Sequence, residues 1–91
     1  MSRYTWDPEK ARVNLAKHGV SFDEAQSVPD TDLARWVPDP SHIDEDRYLI
    51  TGFSSFGTLL VVVTSERGPR PRIISARRPT KRERHAYETR T

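Results

Sequence analysis

Leu59-Leu60-Val61-Val62-Val63-Thr64 contains the longest apolar run of the chain, and its reading decides the fold. Apolar residues at all five positions from Leu59 to Val63, three of them β-branched, predict a central strand covered on both faces rather than a half-exposed alternating one. The run is far too short to span a bilayer. Upstream, Arg47-Tyr48-Leu49-Ile50-Thr51-Gly52-Phe53 reads as a strand, joined to it by a turn at Ser54-Ser55-Phe56-Gly57. Downstream, a loop holding Gly68, Pro69 and Pro71 leads into a third strand, Arg72-Ile73-Ile74-Ser75-Ala76-Arg77. Connections this short make the three an antiparallel meander.

Helices flank the meander. Asp7 is a good N-cap, Pro8 suits the first helical position, and Gly19 supplies the left-handed stop, so a helix is expected from Pro8 to Lys17. Ala11, Leu15 and His18 share its packing face by spacing. Ser21-Phe22-Asp23-Glu24 is a capping box, with Val20 and Ala25 placed for a hydrophobic staple, and Pro29 ends this second helix near Val28. Between Pro29 and Asp46 only Leu33-Ala34-Arg35-Trp36-Val37 is strand-like, and its flanking prolines make it an edge strand. Thr80-Lys81-Arg82-Glu83 is another capping box, opening a helix through about Tyr87. The fold class is therefore α+β. Two N-terminal helices, a small antiparallel sheet of about four strands and a C-terminal helix fit one domain over residues 1–91.

Charge is divided unevenly. Residues 1–66 carry 6 basic and 11 acidic side chains, net −5, and residues 67–91 carry 9 and 2, net +7. Such asymmetry points to an anionic partner for the basic end. Arg67, Arg70, Arg72, Arg77, Arg78, Lys81, Arg82 and Arg84 fall within eighteen residues. Arginine suits phosphate because its planar fork donates two parallel hydrogen bonds. A cluster of this kind can hold nucleic acid, dock an acidic protein, or form a solvated face.

Other chemistries are poorly supported. With no cysteine there is neither a disulfide framework nor a thiolate, which fits a reducing compartment. No signal-peptide apolar core opens the chain, so a cytoplasmic location is expected. His18, His42 and His85 lack metal-ligand spacing, and no serine-nucleophile or Gly-rich phosphate motif occurs, so no metal or cofactor is expected. Glu66, the last acid before the basic block, is either a general base flanked by cations, if it lies beside Arg77 or Arg78, or half of a structural ion pair. His18 is either a partner of the helix dipole or an acid and phosphate contact. His42 and His85 read as surface residues. Tyr4, Tyr48 and Tyr87 either stack on bases or pack in the core, and Trp6 and Trp36 read as packing anchors.

Two motifs carry a resemblance. Trp6-Asp7-Pro8-Glu9-Lys10-Ala11, Asn14, Lys17-His18-Gly19-Val20-Ser21-Phe22 and Glu24-Ala25 resemble the N-terminal signature of the BrnT toxins. Arg72-Ile73-Ile74-Ser75-Ala76-Arg77-Arg78, Lys81-Arg82-Glu83-Arg84 and Tyr87 resemble that family's C-terminal signature. The resemblance implies a RelE-like ribonuclease fold and a toxin of a type II toxin–antitoxin system. It further implies an RNA substrate, a ribbon-helix-helix antitoxin (BrnA-like), and promoter DNA bound through the toxin–antitoxin complex. Val28-Pro29-Asp30 departs from the family, whose second helix often continues with an aromatic residue.

Metal-free RNA cleavage needs a deprotonated 2′-hydroxyl, a held phosphorane charge and a neutralised leaving oxygen. Under the resemblance, Arg77 and Arg78 take the charge, with Arg67 assisting. Glu66 is the expected base, and His18 or Lys17 the acid or cationic support. Arg70, Arg72, Lys81, Arg82 and Arg84 are expected to hold RNA, with Tyr87 stacking on a base. The alternative function is a non-catalytic interaction module that acts with an antitoxin-like partner in promoter DNA binding.

Overall fold

The computed structural model describes residues 3–41 and 46–89. His42 lies outside them. The elements run α1 (Pro8–His18), α2 (Phe22–Ala25), β1 (Arg35–Pro38), β2 (Arg47–Phe53), β3 (Leu59–Ser65), β4 (Arg72–Arg77) and α3 (Lys81–Thr89). The strands form one antiparallel sheet in the order β1-β2-β3-β4. This is the expected α+β order, and β3 is buried along almost its whole length.

Local signals set the helix ends as expected. The Asp7 side chain accepts from the Glu9 amide, and Gly19 closes α1 at φ 70°, its amide donating to the Leu15 carbonyl. Ser21 caps α2, but the expected helix to Val28 stops at Ala25. Three-residue turns replace its last part: the Ser27 and Val28 amides donate to the Glu24 and Ala25 carbonyls, and Ser27 Oγ donates to Glu24 O as well. A serine hydroxyl competing for helical carbonyls is a recurrent way to end a helix early. β1 starts two residues later than expected, because Leu33 and Ala34 belong to a turn closed by the Ala34 amide on Thr31 O.

Alternation along the strands gives the sheet two distinct faces. Trp36, Ile50, Val62 and Ala76 are cross-strand partners on one face. Ile50, Leu60, Val62, Ile73 and Ala76 pack there with Tyr4, Val20, Phe22, Ala25 and Val28, forming the core. A β-bulge between Val63 and Thr64 leaves Ile74 as the extra residue of β4. The bulge lets Ile73 and Ala76, three apart, face the same core. It also places Arg72 and Arg77 together on the opposite face.

The free edge of β4 is covered by residues distant in sequence. The Thr5 amide donates to Pro71 O, and the Ile73 amide donates to Thr5 O. Three residues beyond Ile73, Asn14 Nδ2 donates to the Ala76 carbonyl at 2.8 Å, and the Ala76 amide donates to Asn14 Oδ1 at 3.2 Å. One side-chain amide thus pairs the edge as another strand would. This corrects part of the expected packing face of α1: Ala11 packs against the core, but Leu15 is half exposed, and the buried residue is the polar Asn14.

Candidate nucleic-acid interface

The sheet face opposite the core carries a set of arginines. Arg35, Thr51, Val61 and Arg77 are successive partners in a row across all four strands. Val37, Leu49, Val63 and Ser75 form the next row, and Arg47, Ser65 and Arg72 the third. An apolar strip is therefore flanked by arginines on both sides. α3 covers one end of this face: Arg82, Glu83 and Ala86 stand over Arg35, Val37, Leu49, Thr51 and Val61 around a cleft of about 150 Å3.

Arg77 is tightly held. Its Nη1 and Nη2 donate to Glu83 Oε1 and Oε2 at 2.7 and 2.9 Å, and Nη1 also reaches the Arg78 carbonyl at 3.3 Å. The same carboxylate accepts from the Thr80 amide, while Thr80 Oγ1 accepts from the Glu83 amide, completing the capping box. Hydrogen bonding from Arg77 keeps the Glu83 carboxyl protonating only at about 2, although partial burial pushes the other way. Arg78, Lys81 and Arg82 are exposed around this corner, and among the described residues none has an ion-pair partner.

The end of α1 borders the same face. Asn14 Nδ2 donates to Val20 O as well as to Ala76 O, which holds the turn after His18 against the residue preceding Arg77. Lys10, Val13, Lys17 and His18 line a depression of about 280 Å3 with Ile74 and Ser75. Ser75 belongs to both surfaces, since its strand partner Val63 lies in the middle row. Lys17 and His18 thus reach the β4 border of the arginine-bearing face.

Glu66 is elsewhere. The row holding Arg77 crosses β3 at Val61, and Glu66 is five residues further on, about 16 Å at strand spacing. Its carboxylate accepts from Tyr4 Oη at 3.0 Å, Thr64 Oγ1 at 2.8 Å and Arg3 Nη1 at 3.3 Å. Burial, then the Glu66 charge, pushes the Tyr4 phenol well above its usual range. Glu66 clamps the N-terminal segment and is not flanked by Arg77 or Arg78, which corrects the base assignment. Arg67 shares that remote end, pairing with Asp46 at 3.4 Å, so it does not assist at Arg77.

The remaining expected contacts divide. Arg72 lies on the arginine-bearing face, whereas Arg70 is exposed in the β3–β4 loop. Arg84 turns to Glu88 along α3. Tyr87 is only 8% exposed: its ring meets Phe53 edge-on, and its hydroxyl donates to Leu33 O. It packs α3 onto the sheet, so stacking on a base is not open to it. Sequence reasoning missed Arg35 and Arg47, which stand in the acidic half of the chain. Their alternation with Val37, and with Leu49 and Thr51, was the available signal.

Among the described residues no three His, Cys, Asp or Glu side chains gather as a metal-ligand set, and no helix is long and apolar enough to cross a membrane. A small α+β domain with arginines ranked across one sheet face offers a surface suited to an anion. Comparison makes the class specific. The family model described as the ribonuclease toxin BrnT of type II toxin–antitoxin systems matches residues 6–83. The chain belongs to that family. It is similar in fold to the Brucella abortus ribonuclease toxin BrnT, known from a 1.1 Å crystal structure. The TM-score is 0.68 at 23% identity, over 89% of this chain and 100% of that one. No curated protein matches. Membership gives RNA as the family's target and an antitoxin as its partner.

Proposed function

We propose that this chain is an endoribonuclease toxin that cleaves mRNA by metal-independent transesterification on the β4 side of the open sheet face. The observation that carries this reading is the junction at β4. There Ser75 and Arg77 stand between the end of α1, with Lys17 and His18, and the start of α3, with Lys81.

The chemistry follows from that placement. A pentacovalent phosphorane gains negative charge, and fixed cations aimed at it supply the largest stabilisation. Glu83 and the Arg78 carbonyl fix Arg77 in position, leaving part of its donor set for an anion. Arg78 adds an exposed guanidinium at the same corner. Imidazole both takes and gives protons in the physiological range, which makes His18 the proton-transfer group, with Lys17 as cationic support. Glu66 has no part in the step.

A ribbon-helix-helix antitoxin of the BrnA kind neutralises the toxin, and their complex binds its own promoter DNA. Such an inhibitor must cover an arginine-rich face, so the contact should be locally acidic and weaken with salt. The test of function is RNA cleavage by purified protein, with and without Arg77→Ala/Arg78→Ala and His18→Ala. Loss of cleavage in folded variants supports the reading, and unchanged cleavage by both rejects the site. A second reading is favoured by the full engagement of Glu66 away from Arg77: a non-catalytic module acting with its antitoxin at DNA. Intact RNA and harmless expression of the free protein, with promoter binding by the complex, would select it.

A further inference from the structure

The cleft under α3 is not needed for the cleavage step just described, yet it is built for an anion. Its two walls each carry an exposed arginine, Arg35 from β1 and Arg82 from the first turn of α3. Among the described residues neither guanidinium has a hydrogen-bond or ion-pair partner. The one carboxylate in the lining, Glu83, is already engaged by Arg77. The floor is Val37, Leu49, Thr51 and Val61, apolar apart from one hydroxyl. A positively walled, apolar-floored cleft matches a nucleotide, whose phosphate seeks cations and whose base or sugar seeks apolar area.

Position relates this cleft to the cleavage junction. Arg35 and Arg77 end the same cross-strand row, three strand spacings apart, or about 14 Å. A single-stranded RNA crossing from β4 to β1 would place one phosphate at Arg77 and Arg78 and a later one between Arg35 and Arg82.

We propose that the β1–α3 cleft is a second nucleotide subsite, in which Arg35 and Arg82 hold a phosphate flanking the scissile one. The assignment rests on the ribonuclease reading. Arg35 and Arg82 are binding residues here and take no part in bond cleavage. A competing role exists for Arg35, since a charge on an edge strand discourages pairing with other chains. Arg35→Lys keeps that protective charge but loses the fork, which separates the two roles.

The experiment measures steady-state cleavage of a short single-stranded RNA by wild type, Arg35→Ala, Arg35→Lys and Arg82→Ala, each checked for unchanged thermal unfolding. Both alanine variants should raise KM roughly tenfold, the worth of a lost charge-assisted contact, and leave kcat nearly unchanged. Arg35→Lys should fall between Arg35→Ala and wild type. Binding of a non-cleavable 2′-O-methyl RNA should lose about 0.7 from its salt slope per arginine removed. Active wild type with KM and slope unchanged in both variants overturns the subsite and leaves the ribonuclease reading standing. So does a fall in kcat at constant KM. Wild type that neither binds nor cleaves RNA overturns both.

Discussion

Glu83 and Arg77 form a two-armed ion pair across the corner between β4 and α3, at 2.7 and 2.9 Å. The pair joins the cap of the last helix to the arginine at the end of the cross-strand row, so helix placement and site geometry depend on one carboxylate. Because Glu83 titrates at about 2 in the fold against a reference of 4.5, its stabilisation is fully present above pH 4.5 and lost as pH falls toward 2. Allowing for partial solvent screening, the expected loss is about 2 kcal/mol. Acid unfolding followed by circular dichroism should therefore be steeper between pH 4.5 and 2 for wild type than for Glu83→Gln. Parallel acid limbs would show that the pair contributes nothing.

Asn14 occupies a position where a polar side chain is worth more than an apolar one. Its amide satisfies the amide and carbonyl of Ala76 and the carbonyl of Val20, all within the α1–β4 contact. Asn14→Leu should destabilise the protein by roughly 2–4 kcal/mol, since buried backbone groups lose their partners. Asn14→Asp should be at least as damaging, because a carboxylate cannot donate to either carbonyl. Urea unfolding gives the number, and a change below about 0.5 kcal/mol would refute the edge-pairing role.

Glu66 separates structure from catalysis. Glu66→Gln weakens three hydrogen bonds that hold Arg3, Tyr4 and Thr64. A cost of about 1–2 kcal/mol in stability is expected, with RNA cleavage by the folded variant close to wild type. A large fall in kcat at unchanged stability would restore Glu66 as the base.

Tyr87 gives a further distinction. Tyr87→Phe removes the hydrogen bond to Leu33 O and should cost about 1 kcal/mol in stability while leaving RNA affinity unchanged. Weaker RNA binding by this variant, at full stability, would mean that the tyrosine meets substrate.

How much was legible depended on sequence distance. The caps at Asp7, Ser21 and Thr80, the Gly19 stop and the three strands of the meander are local signals, and they placed the elements within a few residues. The coverings of the β4 edge by Thr5 and Asn14 join residues more than sixty apart, and no local pattern announces them. The bulge at Ile74 is equally silent, although it decides which face Arg77 takes. The misplacement of Glu66 was avoidable by hairpin arithmetic. Residues beside the β3–β4 connection pair with the start of β4, Ser65 with Arg72, so Arg77 has to lie at the far end. The charge division found the basic corner but hid Arg35 and Arg47, because a net count over an acidic segment averages away cations that a strand lines up on one face.

The central claim is that cleavage belongs to the corner between β4 and α3, not to basic charge in general. Two variants remove the same charge from opposite ends of the sheet: Arg78→Ala/Lys81→Ala at the corner, and Arg67→Ala/Arg70→Ala in the β3–β4 loop. Cleavage of one RNA by wild type and both variants, compared as kcat/KM at fixed salt, tests the claim directly. The corner variant should fall by about 100-fold or more, and the loop variant by only a few-fold. Equal losses, or a greater loss in the loop variant, would contradict it.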